Sequence, residues 1–109
     1  MAIWLVPPEE EVGCAPMIDA VCALYHVERK QLFSRSRSQR TVMARQLGIF
    51  LCRELTMGST TEIGKVFGRD HTTVIYAIAK MRLRRESSAP FRKTVDQILA
   101  RLREAEVAA

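Results

Sequence analysis

The stretch from Ser59 to Met81 constrains this chain more than any other. Ser59-Thr60-Thr61-Glu62 has the capping-box pattern, in which a serine hydroxyl takes an orphan N–H and a glutamate three residues on reaches back to the cap. It opens a short helix with Ile63, Val66 and Phe67 on its apolar side, and Gly68 ends it. A second helix begins at once, with Val74, Ala77, Ile78 and Met81 recurring on one face. Two helices in that order, joined by a few residues, have the spacing of a helix-turn-helix. Once the core positions are assigned, Arg69, Thr72, Thr73, Tyr76 and Lys80 fall on the opposite side, and Asp70 and His71 stand at the leading tip. Short polar and basic residues there suit hydrogen bonds to bases and phosphates. Helical pairs of this spacing also occur in proteins that touch no DNA, so the residues have to decide.

The rest of the chain is helical by the same criterion. Pro16 suits the first turn of a helix, where its missing N–H costs nothing. Apolar residues then recur from Met17 to Val27, and a short helical turn follows over Arg29 to Phe33. Ser34-Arg-Ser-Arg-Ser-Gln-Arg40 reads as a polar, basic loop. The next helix, Ser38 to Thr56, has Met43, Leu47, Phe50, Leu51 and Leu55 as one stripe, with Arg40, Arg45 and Arg53 polar. A last helix runs from Phe91 to Glu104. No segment alternates with period two. The expected fold is all-α, a compact bundle of about five to six helices over residues 16–106. A flexible acidic arm, residues 1–15 with Pro7-Pro8 and Glu9 to Glu11, precedes it.

A chain of 109 residues fits one domain. No apolar run approaches the ~18 residues that span a bilayer. The opening, Met1 to Pro8, is short and lacks the basic flank of a secretion signal, so the expected compartment is the cytoplasm, at the nucleoid. Cys14, Cys22 and Cys52 form no CxxC pair and read as free thiols, buried or half-buried. His26 and His71 share no ligand spacing with them, so neither a metal nor a cofactor is expected. Charge is segregated. Residues 1–27 carry four acids and no lysine or arginine, whereas residues 28–93 carry 15 lysines and arginines against five acids. A basic middle is what one face opposed to a polyanion requires, although a solvated surface has the same composition.

The residues themselves go further. Ala44-Arg45-Gln46, Arg53-Glu54-Leu55-Thr56, Ser59 to Gly64 and above all Phe67-Gly-Arg-Asp-His-Thr-Thr-Val74 closely resemble the C-terminal DNA-binding domain of the bacterial replication initiator DnaA. Val21-Cys22 to Tyr25 and Leu32-Phe33-Ser34 match that domain's opening helices, so the resemblance spans residues 16 to 103. It implies that Asp70, His71 and Thr72 meet base edges in the major groove. Asp accepts from cytosine N4 and a threonine methyl packs on thymine. It implies a phosphate contact for Thr73 and a minor-groove arginine at Arg37, which reads groove width. Arg40, Arg45, Arg53, Lys65, Arg69 and Lys80 would brace the backbone, and about six such contacts give a log–log salt slope of about −5.

Each assignment has a plainer counterpart. Asp70 also fits the cap of the second helix, and the two roles coexist. Arg37 also fits a solvated loop. Tyr76, where the family usually has histidine, either packs or touches phosphate. His71 lacks the nucleophile or carboxylate companions of a general base, so no enzyme is expected. The chain departs from the family in having one residue fewer before Arg69-Asp70, Met43-Ala44 before Arg45, and Thr60-Thr61 in place of a common Leu-Pro. These departures bear on the preferred sequence more than on binding. The chain has no GxxxxGK[ST] phosphate loop. The expectation is therefore a stand-alone regulator of transcription, an activator at promoters that contacts RNA polymerase or a co-activator. The alternative is a modulator of replication initiation that competes for initiator sites or binds replication-initiation proteins.

Overall fold

Helix follows helix from Ala15 to Ala108. The computed structural model describes residue 10 and residues 12–108, and among them are six α-helices and no strand. They are α1 (Ala15–Tyr25), α2 (Arg29–Leu32), α3 (Gln39–Leu55), α4 (Thr60–Phe67), α5 (His71–Ser87) and α6 (Ala89–Ala108). The all-α bundle expected from the periodicity is thus the fold that forms. Its radius of gyration, 13.6 Å, is close to the ~13 Å of a globular chain of 100 residues.

The boundaries follow local chemistry. Pro16 sits in the first turn of α1, and His26 closes that helix in the left-handed region at φ 55°. Ser38 caps α3 by accepting from the Thr41 N–H. Ser59 and Glu62 form both bonds of the capping box on α4, and Gly68 ends α4 at φ 65°, a conformation that favours glycine.

Two helices differ from the sequence reading. The expected single stripe on α3 understates it, because Ala44, Arg45 and every residue from Leu47 to Cys52 are buried. Helix α3 is the strut of the bundle and packs against α1, α4 and α5. The last helix is longer than expected at both ends. The Ser88 hydroxyl accepts from the Phe91 N–H at 3.3 Å, and Pro90 falls in the first turn, where no N–H is needed. The same residues that end α5 start α6.

The core is one cluster built around Phe50, Phe67, Ile18, Leu32, Leu47 and Ile63, with α6 adding Phe91, Val95 and Leu99. Cys14 and Cys52 lie within it as free thiols, and Cys22 is half-buried. The hydrogen bond that the Cys52 thiol donates to Cys14, together with burial, pushes that thiol far up. Val12 packs against the core and Cys14 is fully buried, so packing begins before residue 16. Most of the expected arm lies outside the described residues. Among those described, no helix is long and apolar enough to cross a membrane, and no three histidine, cysteine or acidic side chains gather as metal ligands.

Candidate nucleic-acid interface

Helices α4 and α5 form a helix-turn-helix whose turn is compressed onto α4. The Arg69 N–H donates to the Gly64 carbonyl at 2.8 Å. A Cβ on residue 64 would lie 2.5 Å from the Arg69 carbonyl oxygen, closer than such atoms ever approach. Glycine at 64 is therefore what allows the turn to fold back so tightly. Beyond the turn, Asp70 caps α5. Its carboxylate accepts from the Thr73 N–H at 3.0 Å and from the Thr72 hydroxyl at 2.6 Å. Those two bonds hold the Asp70 carboxyl below its ordinary range. Val74, Ala77, Ile78 and Met81 anchor α5 in the core, which leaves His71, Thr72 and Thr73 exposed at its start. Tyr76 does not pack. It is 62% exposed, with the Lys80 ammonium 6.0 Å from its ring centroid.

The basic loop between α2 and α3 has a rule of its own. Ser34 donates to the Gln31 carbonyl at 2.6 Å and accepts from the Ser36 N–H at 3.1 Å. Ser36 in turn accepts from the Ser38 N–H at 3.3 Å, and Ser38 caps α3. The serines are tied to backbone at every second residue, so the arginines between them, Arg35 and Arg37, are left exposed. Helix α3 has no acid in its first turn and carries Arg40 there, so the positive end of its dipole is not neutralised from within the helix.

Two further arginines join this loop to the helix-turn-helix. Arg45 donates from Nε to the Leu32 carbonyl at 3.0 Å and from Nη2 to the Ser34 carbonyl at 2.9 Å. Arg69 donates from Nη2 to the same Ser34 carbonyl at 2.9 Å, and from Nη1 to the Phe67 and Gly68 carbonyls. One carbonyl oxygen thus takes a guanidinium from α3 and another from the turn before α5. Burial and the neighbouring Arg69 charge both push the Arg45 guanidinium down from its usual value. The cleft beside them, about 330 Å³, is lined by Arg35, Arg37, Arg45 and Arg69 with no acidic side chain. Four cations around one concavity favour an anion.

The expected base-reading residues fall at two places that this clamp unites, Asp70, His71 and Thr72 at the tip of α5, and Arg37 on the loop. Arg40, Lys65, Thr73 and Lys80 are exposed as expected. Arg53 is exposed but ties its own turn, donating to the Gly58 carbonyl at 3.1 Å. Arg45 and Arg69 depart from the expectation of free backbone contacts. Arg45 is only 7% exposed, and their guanidiniums are spent on carbonyls, because loop and turn leave those oxygens without other donors. Arg35 and Gly64 were missed. The strict Ser-Arg alternation was the signal for Arg35, whereas Gly64 gives no local sign of the contact it permits.

The chain matches the family described as bacterial dnaA protein helix-turn-helix over residues 15–81. It is 35% identical to the chromosomal replication initiator protein DnaA of Symbiobacterium thermophilum, over 91% of this chain and 22% of that protein. To the protein of the same name from Corynebacterium jeikeium it is 37% identical, over 84% of this chain and 16% of the relative. The Thermus thermophilus protein is 40% identical, again over 91% and 22%. The chain thus spans about a fifth of the length of these relatives. By the matched residues, which run from the first helix to the buried Met81 of α5, the chain belongs to the bacterial DnaA helix-turn-helix family.

Proposed function

We propose that this chain binds double-stranded DNA, reads its sequence, and regulates transcription from promoter sites as an activator. His71, Thr72 and Asp70 address base edges in the major groove, and Arg37 enters the adjoining minor groove, with Arg35 beside it on the phosphate backbone. Arg40, Arg53, Lys65, Thr73 and Lys80 meet the flanking phosphates. Arg45 and Arg69 position the two reading elements instead of touching DNA. The observation that carries this reading is the shared Ser34 carbonyl, which fixes the arginine loop at a set distance from the tip of α5. Two grooves are read in register only if the readers are rigidly spaced. The role is binding, with no catalytic step, and the protein partner is RNA polymerase or a co-activator.

The relatives' name supports a second reading, modulation of replication initiation through competition for initiator sites or contact with initiation proteins. These 109 residues contain no phosphate loop, so what they do by themselves is occupy a site. Selection of bound sequences from a random duplex library tests the binding. Occupancy mapped in cells then separates the roles, since peaks at promoters favour the first and peaks confined to an origin favour the second.

A further inference from the structure

A groove of about 520 Å³ runs between the segment that enters α1, the turn after α3 and the end of α6. Val12, Pro16, Met17, Leu55, Met57 and Leu102 line it, and among the described residues no charged side chain does so. Met57 is 100% exposed, an apolar side chain held in water beside an apolar concavity. Covering such a surface is favourable. The chain itself delivers an occupant. Val12 forms one wall of the groove and lies directly over the turn after α3, since a Cβ on residue 58 would stand 2.6 Å from its Cγ1. Ile3-Trp4-Leu5-Val6, an uncharged apolar run, lies six to nine positions before Val12 and outside the described residues. The chain from Trp4 to Val12 reaches at most about 28 Å, ample to turn back onto a groove that starts at Val12.

We propose that residues 3–6 seat in this groove, with the Trp4 indole as the anchor between Met17, Leu55, Met57 and Leu102. Tryptophan brings about 150–250 Å² of surface to bury, and its N–H stays in water on the open side of the groove. Met17 and Met57 have the rotamers and the polarizable sulfur to close on a flat ring. The run ends at Pro7-Pro8, ahead of Glu9 to Glu11, so no charge has to enter an apolar site. A tether this short supplies the run at an effective concentration of about millimolar, so weak contacts suffice. A second copy or a separate protein would have to reach that concentration in solution.

Trp4 is the only tryptophan of the chain, so its fluorescence reads the seat directly. In the folded chain its emission should lie to the blue of that in urea, and iodide should quench it several-fold less. Met57→Glu and Ala105→Glu each set a carboxylate in the groove at an exposed position, so both variants keep the helical circular dichroism of the wild type. Each should move the emission toward its urea position and raise the quenching. Lys93→Glu, exposed on the same helix as Ala105 but away from the groove, should leave both unchanged. Emission at the urea position in the folded wild type overturns the proposal, as does a blue emission that neither groove variant moves. A blue emission that fades on dilution overturns it too, because the groove then takes the run of a second copy.

Discussion

Asp70 shows how one side chain serves structure and recognition together. As a cap it has one oxygen committed to the Thr73 N–H and the Thr72 hydroxyl. The second oxygen and the exposed His71 and Thr72 remain for base edges. Replacing His71 or Thr72 with alanine should cost roughly 1–3 kcal/mol at the selected site and blur the preference there. Titration against matched and single-mismatch duplexes checks this, and unchanged discrimination would remove both residues from base readout. The cap has its own signature in acid. A carboxyl held below its unfolded value, about 3.9, contributes stability above that pH and loses it as pH falls through the folded value. Asparagine caps as well as aspartate but does not titrate. Asp70→Asn should therefore match the wild type at neutral pH and lose less stability below pH about 4, as read by thermal melts across an acid series.

The helix-turn-helix depends on a close approach between elements, and Gly64 is where it is tested. Gly64→Ala places a methyl 2.5 Å from the Arg69 carbonyl, a backbone atom that cannot rotate aside. The turn must lift off α4, at a cost of about 1–3 kcal/mol in urea unfolding, with weakened DNA binding as the tip shifts. The clamp predicts a different pattern. Arg45→Met leaves the buried Leu32 carbonyl without its donor and the Ser34 carbonyl with one donor in place of two, which costs about 1–3 kcal/mol. Amide exchange should then rise in residues 33–38 while α5 stays protected; uniform loss of protection would contradict a local clamp. These two sites also mark what the sequence disclosed. The helices were legible because caps and stripes are local, Ser59 with Glu62 and Gly68 above all. The surroundings of Arg45 were not, since its partners lie 9 to 13 residues away and nothing near it separates a buried guanidinium from a solvated one.

The excess of positive charge in residues 28–93 is sorted by the fold into paired and unpaired sets. Arg29 meets Asp19 at 3.7 Å, Arg82 and Arg85 share Glu54 at 4.0 and 3.8 Å, and Arg85 also bonds Asp96. Arg35, Arg37 and Arg40 make no ion pair among the described residues, and Lys65 and Lys80 are exposed on α4 and α5. With Arg45 and Arg69 committed to carbonyls, the cations left for the DNA backbone are Arg35, Arg40, Arg53, Lys65 and Lys80. Five such contacts give a log–log salt slope of about −4.5, so affinity should fall roughly 500-fold between 50 and 200 mM salt. Lys80→Ala should reduce the slope by about one and weaken selected and scrambled duplexes alike. Arg82→Ala is the matched control. It removes the same unit of charge from the same helix, but from a side chain already facing Glu54, so the slope should stay within a few tenths of the wild-type value. If Arg82→Ala lowered the slope as Lys80→Ala does, the response would follow net charge and not position. The reading face would then not be the one that His71, Thr72 and the arginine loop define.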